Sequence, residues 1–140
     1  MPLTLKTGTD PAANVEITET MTAMTKLYAV RFRLVTDANV ANRTVNLIID
    51  DGTNTIWQKV VGATQAASLT RDYLFVPPPF TDQAAFDANG LIVSSLPNLP
   101  LLPNWRIRTS TTNRQATDNF GAPLLHVWEL DGADRISTTF

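Results

Sequence analysis

Apolar and polar side chains alternate along most of this chain, and a period of two predicts β-strands. Between Leu27 and Val35, the residues Tyr28, Val30, Phe32 and Leu34 share one face and Arg31 and Arg33 the other. Val45, Leu47 and Ile49 repeat the pattern within Arg43 to Asp50. Asp51-Gly52-Thr53-Asn54 then supplies turn residues before a further run from Thr55 to Val61, so these two runs read as a hairpin. Upstream, Val15, Ile17, Met21 and Ala23 fall on alternate positions among Glu16, Thr18, Thr20 and Thr22. Downstream, Ser68 to Val76 places Leu69, Tyr73 and Phe75 on one face, with Arg71 interrupting it. Leu91 to Leu96 and Trp105 to Ser110 are further strand candidates. Leu124 to Leu130 is apolar on both faces apart from His126 and Glu129, as a central strand would be.

The breaks between these runs carry turn chemistry. Pro77-Pro78-Pro79 ends a strand because proline donates no ladder hydrogen bond, and the connection from Phe80 to Gly90 has room for one helical turn around Asp82 to Phe86. Pro97, Pro100 and Pro103 predict an extended loop. About eight short strands with no helical pattern between them predict an all-β fold, an antiparallel β-sandwich of jelly-roll-like form, with a closed barrel as the alternative. Residues 15–130 are expected to form the sandwich domain. Residues 1–14 read as an N-terminal arm and residues 131–140 as a C-terminal tail, since neither has a lasting period.

Composition narrows the function classes. The 140 residues, 44% of them hydrophobic, suffice for one core and not two. Thirteen acidic against 11 basic residues, a formal charge of -2, offer no field for nucleic acid or an anionic membrane, so neither is expected as a partner. Without cysteine there is no disulfide, thiolate zinc site or thiol nucleophile. No apolar run approaches the roughly 18 residues needed to cross a bilayer as a helix, and no signal peptide is visible. Twenty threonines and only 17% charged residues make a polar, lightly charged surface suited to sheet faces.

Candidate chemistry is sparse. His126 is the only histidine; it rules out a multi-histidine metal site and, with no Gly-x-Ser-x-Gly elbow present, reads as a structural or surface residue. Asp50 and Asp51 beside Gly52 have oxygens suited to calcium but lack the other carboxylates of a calcium loop and fit a hairpin turn without any ion. Glu16 with Glu19, or Asp82 with Asp87, would have to face each other across a cleft to act as a glycosidase pair, and nothing places them so. Arg31, Arg33, Arg106 and Arg108 would form a basic stripe if their strands were neighbours; cross-strand pairing with acids is the favoured reading. Trp57, Trp105 and Trp128 include at most one stacking platform for sugars, with at least two expected in the core. Asn42-Arg43-Thr44 fits an N-glycosylation pattern by coincidence. The expected catalytic, cofactor and metal residues are therefore none.

Five segments together resemble small β-sandwich proteins of tailed bacteriophages that decorate, or cement, the capsid. They are Leu34-Val35-Thr36-Asp37-Ala38-Asn39-Val40-Ala41-Asn42-Arg43, Asp51-Gly52-Thr53-Asn54-Thr55, Gln65-Ala66-Ala67-Ser68, Pro103-Asn104-Trp105-Arg106-Ile107-Arg108 and Gln115-Ala116-Thr117-Asp118-Asn119-Phe120. The resemblance runs from Leu34 to Phe120 and implies a non-enzymatic virion protein on the capsid exterior. Its implied partners are the major capsid protein or other virion proteins and copies of itself, with a homotrimer first, because local symmetry axes of a shell let three copies share one attachment point. The alternatives are a carbohydrate- or receptor-binding module of a phage tail or fibre, and a small hydrolase on a jelly-roll scaffold.

Overall fold

The computed structural model describes residues 3–130, in which there are eleven strands and no helix. They are β1 (Thr4–Thr7), β2 (Thr18–Thr20), β3 (Met24–Val35), β4 (Thr44–Asp50), β5 (Thr55–Val60), β6 (Thr70–Val76), β7 (Leu91–Ser95), β8 (Pro100–Leu101), β9 (Arg106–Thr112), β10 (Asn119–Phe120) and β11 (Leu124–Leu130). A seven-stranded sheet has the order β1-β11-β3-β6-β7, with β8 and β10 also pairing with β3, and a four-stranded sheet has the order β2-β9-β4-β5. Both sheets bury one face in a shared core, as in a β-sandwich.

Alternation decides which side chains meet there. Leu27, Val30, Phe32 and Leu34 from β3, Tyr73 and Phe75 from β6, Ile92 from β7 and Leu125 and Val127 from β11 pack against Val45, Leu47 and Ile49 from β4 and Ile107 from β9. The Phe32 ring is central. Its centroid lies 5.2 Å from Tyr73 and 5.9 Å from Phe75 in stacked contacts, and 5.6 Å from Phe120 edge-on.

Tyr28 departs from the expected face. Leu27 pairs with Val127 but Ala29 with His126, so Tyr28 is an extra residue in β3, a β-bulge. The bulge reverses the parity of the strand: Thr25 and Leu27 are inward on one side of it and Val30, Phe32 and Leu34 on the other, while Tyr28 is left 41% exposed. In the run from Val15 to Ala23 only Thr18–Thr20 is strand, although Ile17 and Met21 are buried as the alternation predicted.

Three further expectations need correction. First, β7 runs parallel to β6, so the larger sheet is mixed; the connection from Pro77 to Gly90 is long enough to carry the crossover. Second, no helical turn forms at Asp82 to Phe86. The polar side chains there bond instead to the outer edge of β7: Asp87, Gln83 and Asp82 accept from the N–H groups of Leu91, Val93 and Ser95. These contacts blunt an edge strand that would otherwise offer its backbone to another chain. Third, the region read as an N-terminal arm contains β1, whose Thr4 to Thr7 pair antiparallel with Val127 to Leu124 of β11. Short all-exposed strands show no burial period, which is why the sequence hid it. The tail 131–140 lies outside the described residues.

Phe32→Ala should cost about 3–5 kcal/mol, the range for emptying a buried aromatic site, whereas Arg31→Ala, on the exposed face, should cost well under about 1 kcal/mol. Urea denaturation midpoints of the two variants check this, and the reverse order would mean the register of β3 is wrong.

Candidate protein-binding face

Among the described residues the side chains of Arg43 and Asp118 have no accessible surface. The Arg43 Nε and Nη2 donate to the two carboxylate oxygens of Asp118 at 2.9 and 3.0 Å. Nη2 also donates to Asp37 Oδ1 at 2.8 Å, and Nη1 to the Ala41 carbonyl at 2.7 Å. The acceptors are themselves fully used. Asp118 accepts from the backbone N–H groups of Asp37 and Gln115, and Asp37 accepts from Asn39 and Thr117. Beside them Arg43 and Gln65 exchange backbone hydrogen bonds, the Gln65 amide donates to the Leu34 and Leu69 carbonyls, and the Tyr73 hydroxyl donates to Gln65 Oε1 at 2.8 Å. Burial pushes the Tyr73 phenol up, so it stays a neutral donor. The cluster satisfies its own hydrogen bonds and ties three loops together at one end of the sandwich. It is structural, and it holds those loops in fixed positions.

The arginines read as a possible stripe are separated by the fold. Arg31 and Arg33 lie on the outer face of the larger sheet, where both bond to Asp72. Arg106 and Arg108 lie on the outer face of the smaller sheet, where both bond to Asp50. Each pair is thus a cross-strand charge cluster around one carboxylate, as favoured from the sequence. The hydrogen bond from Arg106, aided by Arg108 and the Gly52 N–H against the opposing effect of burial, holds the Asp50 carboxyl well below the usual range.

The remaining candidates take local roles. Asp51 accepts from the Thr53 and Asn54 N–H groups and caps the hairpin turn, where Gly52 adopts a φ of +96°. Glu16 bonds to Thr111 and Arg114, and Glu19 to the Thr9 N–H. Asp82 and Asp87 cap β7 as described. Trp57 and Trp105 pack partly buried against the core, and Trp128 is half-buried on β11. His126 is half-buried on the outer face of the larger sheet, in register with Leu5 and Ala29. Among the described residues no three His, Cys, Asp or Glu side chains are grouped as a metal site.

Comparison with protein families, curated proteins and solved structures found no match. Geometry alone therefore distinguishes the surfaces.

The two outer faces differ in character. On the smaller sheet the rows across the strands read Thr18, Arg108, Ile48, Gln58 and Ser110, Asn46, Val60, mostly polar, with Ile56 and Val60 of β5 exposed. On the larger sheet one row reads Thr7, Leu124, Arg31, Leu74, Val93 and a neighbouring one begins Leu5, His126, Ala29. Leu5 is 64% and Leu124 37% exposed. Polar residues on this face are Thr7, Lys26, Arg31, Arg33, Asp72 and His126; between them lie the exposed Leu5 and Leu124 and the half-buried Leu74 and Val93. Leu124 to Leu130 is apolar on both faces apart from His126 and Glu129, and that double-sided pattern was the available signal for this surface.

Arg43→Met should destabilise by about 3–5 kcal/mol, because it leaves the Asp118 carboxylate buried without its counter-charge. The double variant Arg43→Met with Asp118→Leu should lose less than the two single losses added together. Chemical denaturation of all three proteins tests the pair, and additive losses would refute the coupling.

Acid should weaken the fold through the same kind of contact. Burial pushes the Asp118 carboxyl up, but hydrogen bonds from Arg43 and from the backbone of Asp37 and Gln115 outweigh it, so the net direction is down. The carboxyls of Asp37, Asp50 and Asp72 are lowered too. A lowered folded-state value gives stability that is fully present above the unfolded value of about 4 and is lost as pH falls through the folded one. Unfolding free energy should therefore stay level for these groups from neutral pH to about pH 5 and fall below about pH 4. Asp50→Asn should flatten part of that acid limb in urea titrations run across the pH range; an unchanged limb would place the sensitivity elsewhere.

Proposed function

We propose that this chain is a structural protein of a tailed-phage particle that decorates the exterior of the capsid shell and has no catalytic role. Its partners in this reading are the major capsid protein or another virion protein, and copies of itself, with a trimer first. The observation that carries the reading is the set of apolar side chains on the outer face of the larger sheet, the exposed Leu5 and Leu124 and the half-buried Leu74 and Val93, which come from four strands. Such a face is shielded by association with another protein. The segments that resemble phage decoration proteins add support: Asp37, Arg43, Gln65, Gln115 and Asp118, drawn from three of them, meet in the buried cluster. Repetition over a symmetric shell makes modest contacts per copy sufficient.

Leu124→Lys and Leu74→Lys should each weaken attachment to purified shells of the encoding phage by about tenfold while far-ultraviolet circular dichroism stays unchanged, since each inserts a charge into the contact. Sedimentation of the unaltered protein should give a species larger than a monomer. A monomer that leaves shells unbound would overturn the proposal.

A further inference from the structure

At one end of the outer face of the larger sheet, a groove of about 350 Å³ is lined by Lys26, Tyr28, Pro77, Pro78, Phe80 and Asn98. Three separate parts of the chain build it. The β-bulge in β3 leaves Tyr28 exposed, the proline run after β6 carries Phe80 outward at 59% exposure, and the loop before β8 brings Asn98. Exposing two large aromatic rings together is costly in water, and such rings with a few polar groups between them are the usual composition of a small-ligand site. The size falls in the range of such sites.

The polar groups select the ligand. Lys26 Nζ lies 5.9 Å from the centroid of the Tyr28 ring, so a positive charge is held beside the aromatic surface. Among the six lining side chains Lys26 is the one cation and there is no anion. Asn98 contributes an amide that both donates and accepts. Flat apolar rings take the C–H face of a pyranose, the amide takes hydroxyls, and the ammonium takes a carboxylate. We propose that this groove binds a saccharide bearing a carboxylate, a uronic or sialic acid unit, through residues other than the four leucine and valine side chains on which the shell-contact reading rests.

Trp57 and Trp105 pack against the core, as expected for at least two of the three tryptophans, and the exposed aromatic rings among the described residues are Tyr28 and Phe80.

Isothermal titration of the full chain with an oligogalacturonate and with sialyllactose tests the inference, with maltohexaose and lactose as neutral counterparts. At least one acidic ligand should bind about tenfold or more tighter than its neutral counterpart, with an affinity that falls as salt rises. Phe80→Ala and Lys26→Met should each reduce that binding about tenfold, and Lys26→Met should also remove the preference for the acidic sugar. Whichever acidic ligand binds identifies the sugar type. Thermal melts keep the readout independent of folding, because Phe80 is exposed and its loss should leave the melting temperature unchanged. Equal binding of acidic and neutral sugars, no binding of either, unaltered binding by both variants, or displacement by a proline-rich peptide in place of a sugar would overturn the proposal. None of these outcomes bears on shell attachment, which is read separately.

Discussion

Removing the Arg43 guanidinium from water costs several kcal/mol, and the fold offsets that cost by bringing Asp118 to it from 75 residues along the chain, while Asp37 and the Ala41 carbonyl reach it from the loop that leads into β4. The bidentate contact with Asp118 fixes both distance and orientation, which an ammonium in the same place would not. Asp118 in turn holds the backbone of Asp37 and Gln115, so the loop after β3 and the loop after β9 are set by the same carboxylate. Gln65 extends the arrangement to β6 through the Tyr73 hydroxyl, whose ring stacks on Phe32 in the core. One end of the sandwich is therefore held by polar contacts as specific as the apolar packing in its middle.

That division of labour leaves the outer surfaces free to differ. The inner faces of both sheets are consumed by the core and the loop end by the Arg43 cluster. On the smaller sheet the outer arginines pair around Asp50, and on the larger sheet the arginines pair around Asp72 and leave Leu5 and Leu124 exposed. The edge of β7 is closed by the side chains of Asp82, Gln83 and Asp87, so association through that edge is blocked while association through the face is not.

Much of the fold was legible in the sequence because alternation is a local signal. Phe32, Leu34, Val45, Leu47, Ile49, Tyr73 and Phe75 were all assigned to inward faces and are all buried. What alternation cannot report is pairing. The parallel neighbour of β6, the edge strand β1 and the extra residue at Tyr28 depend on which segments lie side by side, information that no single run contains. The arginines on β3 and β9 were correctly read as partners of acids, but the acids, Asp72 and Asp50, come from neighbouring strands far along the chain. Arg43 was invisible as a core residue because an arginine between Asn42 and Thr44 reads as surface until its two carboxylates are placed beside it. The groove at Tyr28 was hidden for a related reason: its exposure follows from the bulge, and its neighbours Phe80 and Asn98 lie in loops with no period.

The pairing of β3 with β11 also sets an order of events during synthesis. Strand β3 emerges early, yet one of its two long neighbours, β11, is made only at Leu124–Leu130, and β1 waits for that same strand. The hairpin of β4 and β5 can close while the chain is still growing, but the larger sheet stays open along β3 until Leu124–Leu130 have left the ribosome. For that interval the apolar inner edge of β3 is available to any chaperone or neighbouring nascent chain. Completion of the sandwich is therefore a long-range step, in which β11 fits between β1 and β3, two strands made well before it.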